Sequence, residues 1–495
     1  MKRFYLLALA ATLAFTGCKK DDGDPRPENL TIEKTEYAFD AVENRTATVS
    51  FSAPADWTLS VVYDDAESSA DWLSVTPMSG TAGEQTVELS AARNTHTASR
   101  TAFVDVVCGE QQVRLTVTQT AASEVVDFTA QFDPGFAQKL QELGIIADAE
   151  HITPADMEKI AAMTELDVSG TYENPGTLTS LQGTEYFESL TDLDCSYNQL
   201  TSLDVRANTA LTELYCHENQ LTSLDVRANT ALTYLYCGSN QLTSLDVSAN
   251  TALTYLSCSS NSLTTLDISA NTELTYLNCY SNQLTALDVS RNTALTYLYC
   301  GSNPLTSLDV RANTALTLLS CSFNSLTSLD VSRNTALTDL DCFSNQLREL
   351  NVSANTALTE LDCASNSLTT LDVSANTALT FLMCFSNQLT SLDMRANTAL
   401  TYLYCHSNQL TELNVSANTA LTDLYCFSNQ LTSLDISRNT VLTELSCSDN
   451  PGDGESTFPV TVWFDNETEP AGLNVYSSSW TYGGKTITID FRKAE

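Results

Sequence analysis

The sequence predicts a mainly β protein with an N-terminal β-sandwich of immunoglobulin-like size, a short helical cap, a solenoid with one parallel sheet, and a small C-terminal β-cap. Cysteine recurs every 21 residues from Cys195 to Cys447, which gives thirteen copies of one short unit. Alternating apolar runs precede these repeats, and further runs of the same kind follow them. A unit this short cannot bury its own apolar face, so its copies must stack into a solenoid.

The N-terminus predicts export and a lipid anchor. Lys2 and Arg3 precede an apolar run over residues 4–15, as in a signal peptide, and the Thr-Gly-Cys ending at Cys18 resembles the lipobox of bacterial lipoproteins. Residues 1–18 are interpreted as signal peptide and lipobox, with Cys18 carrying the lipid. Residues 20–22 resemble the signal that places lipoproteins of the Bacteroides lineage on the outer face of the outer membrane. A merely polar tether is the alternative.

A linker over residues 19–29 leads into a predicted β-sandwich over residues 30–121. Its strands are expected at residues 46–51, 86–91, 103–107 and 113–119. Trp57, the segment 71–80 with Trp72, and Asn94, Arg100 and residues 117–119 together resemble a BACON domain. That family is associated with carbohydrate-active proteins, and the resemblance leaves open whether the domain binds glycan or acts as a spacer. We expect both tryptophans in the core.

Residues 126–189 are predicted to cap the entry to the solenoid. Asp133 and Pro134 begin a helix, with Phe136, Leu140 and Leu143 at helical spacing on its inner side. A second helix is predicted to begin at residues 153–154, and residues 163–168 are predicted to form a first strand.

The thirteen repeats span residues 190–450. Written from Leu232 as position one, the unit is LTYLYCGSNQLTSLDVSANTA. Side chains alternate along a strand, so positions four and six (Leu235 and Cys237) point inward, and positions three, five and seven point outward. Stacking at about 4.8 Å per strand over twelve intervals gives a sheet about 58 Å long.

Position nine is asparagine throughout, as at Asn240, and its amide is predicted to bond the turn backbone. The cysteines are predicted to be reduced thiols that serve as small apolar core groups. Their number is odd, and their Cβ vectors are parallel, which suits neither disulfides nor the converging ligands of a metal site.

The segment L-x-x-L-x-C-x-x-N-x-L resembles a leucine-rich repeat with cysteine in place of one leucine. Cap and repeats, from about residue 130 to 450, resemble internalin-like leucine-rich repeat proteins, most closely the internalin J type with its cysteine ladder. This resemblance implies recognition of host proteins or glycoconjugates and a role in adhesion or invasion. It implies no chemistry and no particular ligand.

Residues 451–495 break the period and are predicted to form a β-cap, with strands at residues 459–464, 473–477 and 485–491. The net charge of −38 argues against nucleic acid or anionic lipid as a partner. We expect the N-terminal lipid to be the only membrane attachment.

The outward positions of the repeats vary, and they are the predicted ligand-binding residues. Two aromatic strips flank a central acidic block. We list them in chain order: Tyr215, Tyr234, Tyr236, Tyr255, Tyr276, Tyr280, Tyr297, Tyr299, Asp339, Asp341, Glu360, Asp362, Phe381, Phe385, Tyr402, Tyr404, Tyr425 and Phe427. Exposed aromatic surface on this scale is typical of binding sites. Cross-strand stacking that stabilises the sheet without a ligand is the alternative.

Position fifteen forms a column of aspartates, such as Asp246, interrupted by Asn351 and Asn414. We interpret it as a solvated face rather than a calcium ladder, since the substitutions remove charge and no glycine-rich calcium loop accompanies the column. No nucleophile elbow, metal cluster or phosphate loop is present in the sequence.

The sequence therefore predicts a non-enzymatic binding protein without cofactor or metal. We expect a monomer on the outer membrane, lipid-anchored and exposed at the cell surface, with a host or microbial protein or glycoprotein as its ligand. The alternative is a glycan-binding accessory lipoprotein of a polysaccharide-uptake system.

Overall fold

A computed structural model describes residues 27–41, 45–64, 72–94, 96, 98–121, 127–464, 470 and 472–494. The predicted signal peptide, Cys18, the acidic signal and most of the predicted linker lie outside these residues. The described chain forms two compact units. One comprises the residues up to Ala130 with Glu150–Glu158, and the other comprises Gln131–Ala149 with the residues from Lys159 onward. No helix in the described ranges is long and apolar enough to cross a membrane.

The first unit contains a β-sandwich of two sheets. Its strands are β1 (Thr31–Ile32), β2 (Glu36–Phe39), β3 (Thr46–Ala53), β4 (Trp57–Tyr63), β5 (Leu73–Thr76), β6 (Ser79–Gly80), β7 (Gly83–Ala91), β8 (Arg100–Cys108) and β9 (Gln111–Gln119). The sheet orders are β1-β3-β7-β5 and β2-β9-β8-β4-β6. Alternate apolar side chains from both sheets share one buried core. The four predicted runs lie within β3, β7, β8 and β9.

Both tryptophans lie in this core, as the sequence predicts. Trp57 is 1% exposed and meets Phe51 edge to face, and Trp72 is 3% exposed beneath the guanidinium of Arg100. A Cβ at Gly80 would come within 2.6 Å of the Trp57 ring, so a larger residue there would displace it. Neither indole offers a surface on which a sugar could stack.

Two short helices, α1 (Pro134–Glu142) and α2 (Pro154–Ala162), confirm the helical segment, and short 3₁₀ turns lie at Thr129–Gln131 and Thr184–Tyr186. Asp133 caps α1 by accepting hydrogen bonds from the backbone N–H groups of Gly135 and Phe136. Phe136 and Leu140 are fully buried. Leu143, predicted on the inner side, is instead exposed because the helix ends at residue 142 and Leu143 becomes its C-cap.

One parallel sheet of fifteen strands runs the length of the repeats. Thirteen strands follow one another along the chain: β10 (Glu165–Asp167), β11 (Asp192–Asp194), β12 (Glu213–Tyr215), β13 (Tyr234–Tyr236), β14 (Tyr255–Ser257), β15 (Tyr276–Asn278), β16 (Tyr297–Tyr299), β17 (Leu318–Ser320), β18 (Asp339–Asp341), β19 (Glu360–Asp362), β20 (Phe381–Met383), β21 (Tyr402–Tyr404) and β22 (Asp423–Tyr425). From β11 to β22, each strand residue pairs with the residue 21 positions later, as Leu235 does with Leu256. The predicted fold class is confirmed.

The C-terminal residues close the solenoid with a second, smaller sheet. They contribute β23 (Leu434–Asp435), β24 (Glu444–Ser446), β25 (Thr457–Val462), β26 (Asn474–Val475), β27 (Ser479–Tyr482) and β28 (Lys485–Lys493). Strands β24 and β26 extend the parallel sheet, while the small sheet has the order β23-β25-β28-β27. The indole N–H of Trp480 donates to the carbonyl of Asn450 and so fastens the cap to the last coil. Strand β27 is not among the strands predicted from the sequence.

The interior of each coil is filled by leucine, valine and cysteine. Position-four leucines and position-six cysteines are essentially unexposed, and all fourteen cysteines of the described residues are free thiols. Burial raises the pKa of the position-six thiols, to about 12 at Cys258. A thiol in this state stays protonated and unreactive at neutral pH.

The asparagines at position nine form what we call the first asparagine ladder. The side-chain amide of Asn240 donates to the carbonyls of Cys216, Cys237 and Gly238, and its Oδ1 accepts from the N–H of Leu221. Each such asparagine thus binds its own turn and the preceding coil. The preceding residue, at position eight, has a positive φ in all thirteen repeats, which turns the chain out of the strand.

A second asparagine ladder, which the sequence analysis missed, lies at position nineteen. Its twelve members, from Asn208 to Asn439, have no exposed surface. The amide of Asn313 donates to the carbonyl of Val289 and to that of Asn292, one coil earlier, both at under 3 Å. The Oδ1 of each member has no hydrogen-bond partner among the described residues.

The aspartates at position fifteen cap turns. The N–H of Ser248 donates to Oδ1 of Asp246, and the same contact recurs through all twelve coils of the column. Asn351 and Asn414 make the identical bond, because the turn needs an oxygen and no charge. This explains the substitutions that interrupt the column.

Replacing Asn313 with alanine should lower the free energy of unfolding by about 2 kcal/mol, because two buried hydrogen bonds that join adjacent coils are lost. The matched control is Asp330→Asn, an exposed turn residue whose bond asparagine preserves, with an expected change within about 0.5 kcal/mol. Urea denaturation of the full chain followed by circular dichroism measures both. Equal losses in the two variants would contradict a special role for the second ladder.

Candidate ligand-binding face

We define the sheet face as the side chains at positions three, five and seven of the thirteen repeats. Strands β11 to β22 and β24 hold positions three and five on the outer side of the sheet, and position seven follows each strand. All eighteen predicted binding residues lie on this face. Tyr280, Tyr297, Tyr402 and Glu360 are exposed, and the others are half-buried.

The first aromatic group covers repeats two to six. The rings of Tyr234 and Tyr255 stack with centroids 3.9 Å apart and planes 7° from parallel, and those of Tyr255 and Tyr276 stack at 4.3 Å and 8°. Tyr215 leans on one end of this stack, and Tyr297 leans on the other. Ring faces are therefore largely covered by neighbouring rings, which accounts for their half-burial. The rings stack on one another, as the interpretation of cross-strand stacking expects. Their remaining exposed surface is what the interpretation of ligand binding needs.

The residues at position seven are more buried than strand alternation predicts. Gly238 is buried, since the Ser259 backbone and side chain and the Tyr236 ring cover it. His217, in the preceding coil, stacks on Tyr236 with centroids 3.9 Å apart. Burial lowers the pKa of His217, which keeps this imidazole neutral at physiological pH.

The second aromatic group covers repeats ten to twelve. Phe381 contacts Tyr402 and Tyr404, and Tyr404 meets Tyr425 edge to face. At position seven, the ring of His406 is sandwiched between Phe385 and Phe427 at 4.5 and 4.1 Å. This desolvated position lowers the pKa of His406 to about 4, so the imidazole acts as a neutral aromatic ring.

Three further residues of this surface were not among the predicted binding residues. His406 lies within the second aromatic group. Phe323 takes position eight, where serine is usual, and projects with half of its surface exposed against Phe343. Tyr476, just after β26, contacts the ring of Tyr425 at a tilt and carries the aromatic surface onto the C-terminal cap.

The acidic block occupies strands β18 and β19. Asp339 pairs in register with Glu360, and Asp341 with Asp362, so like charges stand directly opposite each other. Burial, then the neighbouring carboxylates, raise the pKa of Asp339 to about 6, and burial raises that of Asp362 to about 6 as well. Asp341 accepts a hydrogen bond from the hydroxyl of Ser320. No ion pair involves these four carboxylates among the described residues.

Two more acidic groups lie at the ends of the sheet face, and the sequence analysis did not single them out. Asp192, Asp194 and Glu213 occupy β11 and β12, and Asp423 and Glu444 pair in register across β22 and β24. Burial and the surrounding carboxylates raise the pKa of Asp192. The sheet face thus alternates acidic, aromatic, acidic, aromatic and acidic along the solenoid.

Comparisons with known proteins bear on the identity of this architecture. The family model described as the viral BACON domain matches residues 29–122, and that of leucine-rich repeats in two copies matches residues 209–250. The functional domain of InlJ from Listeria monocytogenes, whose structure includes a cysteine ladder, is 33% identical. The match covers 74% of this chain and 98% of that one, with a TM-score of 0.59. The chain belongs to the InlJ-type family of cysteine-ladder leucine-rich repeat proteins.

The leucine-rich repeat ectodomain of the plant membrane receptor kinase GASSHO1/SCHENGEN3 from Arabidopsis thaliana also matches. It is 22% identical over 62% of this chain and 40% of that one, with a TM-score of 0.52, a likeness of fold alone. A search of curated proteins finds no match. The BACON, leucine-rich repeat and internalin-like interpretations are thereby confirmed, while the bacterial lineage and the lipid anchor stay predictions.

Replacing Asp362 with asparagine should stabilise the protein at pH 7.5 by on the order of 1–2 kcal/mol, and the gain should vanish at pH 4. The folded state raises the pKa of Asp362 above its ordinary value, so the folded protein holds this proton more tightly than the unfolded chain. Stability is thus lost as pH rises from about 4 to about 6, and asparagine removes that loss. Denaturation curves at both pH values measure it.

Asp372→Asn is the matched control, because hydrogen bonds from Ser374 hold the pKa of Asp372 below its ordinary value. It should give no stabilisation at pH 7.5. A pH-independent difference between Asp362→Asn and the unmodified chain would contradict the electrostatic account of the acidic block.

Proposed function

We propose that this protein is a lipid-anchored binding protein of the outer membrane, displayed on the cell surface, whose sheet face recognises a protein or glycoprotein ligand. The observation that carries the proposal is the concentration of aromatic side chains on one face of a rigid sheet. Aromatic residues dominate binding hot spots, since they offer large contact area at low entropic cost.

The fold supports recognition of a macromolecule. Coils of fixed spacing hold the side chains of the face in a regular array. The described residues contain no group of three His, Cys, Asp or Glu side chains that could hold a metal ion. The acidic residues stand on an open sheet rather than in a water-excluding pocket, which disfavours hydrolytic catalysis by a carboxylate pair. In the solved plant ectodomain, the same fold is in complex with CASPARIAN STRIP INTEGRITY FACTOR 2.

The orientation of the tyrosines favours protein over glycan. A sugar stacks its C–H groups on an open ring face, but the faces of Tyr234, Tyr255 and Tyr276 are occupied by one another. A ligand meets mainly ring edges and phenolic hydroxyls, which suit the polar and apolar atoms of a protein surface. The alternative, glycan capture for a polysaccharide-uptake system, is supported by the BACON domain and by the exposed ring of Tyr297.

The anchor makes a direct prediction. Expressed in a bacterium that processes lipoproteins, the full chain should incorporate radiolabelled palmitate and sediment with membranes, because the lipobox cysteine receives the lipid. Cys18→Ser should lose both properties. Thr16→Ser, two residues earlier, should retain them. Palmitate incorporation into the Cys18→Ser variant would contradict lipidation at this position.

The sheet face also makes a testable prediction. On an array of matrix proteins, mucin glycoproteins and polysaccharides, the full chain should bind a protein or glycoprotein, and Tyr297→Ser with Tyr402→Ser should weaken that binding at least tenfold. These are the most exposed tyrosines of the first and second aromatic groups.

The matched control is Tyr172→Ser, which removes a tyrosine that is 82% exposed and lies outside the sheet face. It should leave binding unchanged, and circular dichroism verifies that each variant is folded. Binding to polysaccharide alone would favour the glycan alternative. Protein binding that survives both tyrosine changes would place the site elsewhere.

A further inference from the structure

The carboxylates of the sheet face place like charges opposite one another on neighbouring strands. Within the sheet face, four in-register acidic pairs lie in three places: Asp192 with Glu213, the two pairs of β18 with β19, and Asp423 with Glu444. Like charges directly opposite on neighbouring strands destabilise a sheet. Features that cost stability in this way are expected at functional sites.

The turns of the coil do not require these charges. Asp341 and Asp362 each accept a hydrogen bond from the N–H two residues later, a contact that Asn278 makes equally well at the same position. The carboxylates of Asp339 and Glu360 have no hydrogen-bond or ion-pair partner among the described residues. A neutral amide would serve the fold at least as well.

Positive charge is placed elsewhere on the coil. Arg206, Arg227, Arg311 and Arg395 each form an ion pair with the aspartate two residues before, on the position-fifteen column. None of the thirty-nine positions of the sheet face is lysine or arginine, whereas nine are aspartate or glutamate. Arginine therefore neutralises the turn column in several coils, whereas every charged side chain of the sheet face is acidic.

Apolar surface borders the acidic block on both sides. Leu318 and Phe323 lie one coil before the block, and Phe381 and Phe385 lie one coil after it. Phe343 lies in the same coil as Asp341 and contacts both Phe323 and Phe385. Lysine and arginine have aliphatic stems that pack on apolar surface while their charged heads reach an anion, and guanidinium groups also favour aromatic rings. Apolar surface beside carboxylates can therefore contact both the stem and the charged head of lysine or arginine, whereas a bare ion would contact only the carboxylates.

The distribution of the charges favours a polypeptide occupant. The centres of the three acidic groups are separated by seven coils and by four coils, or about 34 Å and 19 Å at about 4.8 Å per strand. A small cation could neutralise only one group, and no set of three metal-binding side chains converges in the described residues. A chain of basic and apolar residues can span the groups.

We propose that the ligand of the sheet face is a protein segment rich in lysine or arginine, with its basic side chains over the acidic groups and its apolar side chains over the aromatic groups between them. This inference rests on the proposed function and specifies the chemistry of the partner.

The test uses the full chain and a fluorescein-labelled sixteen-residue peptide of lysine, leucine and serine, with affinity measured by fluorescence anisotropy. The lysine peptide should bind, and raising NaCl from 20 to 300 mM should weaken it at least tenfold because the attraction is electrostatic. The same peptide with glutamate in place of lysine should not bind. Asp341→Asn with Asp362→Asn should weaken the lysine peptide at least fivefold.

The control variant is Asp246→Asn with Asp372→Asn, which removes the same two charges from the turn column, where Asn351 and Asn414 stand naturally. It should retain the affinity of the unmodified chain. Equal weakening by both double variants would overturn the proposal in favour of general attraction to an acidic protein. Full displacement by an equal charge concentration of spermine would overturn it in favour of simple cation binding.

The proposed function and this inference fail in different ways. A protein ligand from the array that depends on Tyr297 and Tyr402, but not on Asp341 and Asp362 or on salt, would overturn the inference and leave the proposed function standing. Binding that depends on the tyrosine pair and also on the aspartate pair would support both the proposed function and the inference.

Discussion

The structure depends on the first asparagine ladder. A coil with a three-residue strand forms few regular hydrogen bonds, so most of its backbone polar groups must find partners in turns. The two N–H groups of one amide per coil contact three carbonyls, its Oδ1 accepts a fourth hydrogen bond, and these bonds reach the preceding coil. Because the bond lengths barely change between repeats, each coil is held in the same register. The columns on the outer face follow from that register.

Much of this scaffold could be predicted because strand alternation and a 21-residue period leave little freedom. The inward leucines and cysteines, the amides at position nine, and the location of the eighteen candidate residues all follow from it. Turns do not share that regularity. The asparagine at position nineteen sits among threonine and alanine in a stretch that resembles an exposed turn, yet it is fully buried and binds two coils. Strand alternation does not predict whether a residue outside the strand points inward or outward.

The surface was harder to predict than the scaffold. Ring stacking depends on side-chain rotamers, so the half-burial of Tyr234 and Tyr255 was not evident from the sequence. Phe323 projects from a turn rather than a strand, and Tyr476 reaches the face only because β26 joins the sheet some thirty residues after its neighbour, β24. The sequence of a repeat strand and that of a cap strand do not by themselves indicate that the two strands pair. His406 could have been found, since it shares position seven with Phe385 and Phe427.

In-register pairing also gives the sheet face a discrete geometry. Because each strand of the repeats pairs with the strand one whole coil later, as Leu235 does with Leu256, surface groups on different coils are offset along the sheet by a whole number of strand spacings. Inserting or deleting one repeat would move an acidic group relative to an aromatic group by about 4.8 Å while preserving the contacts within each coil. Changes in repeat number would therefore alter ligand preference in fixed steps, without any change in the chemistry of an individual side chain.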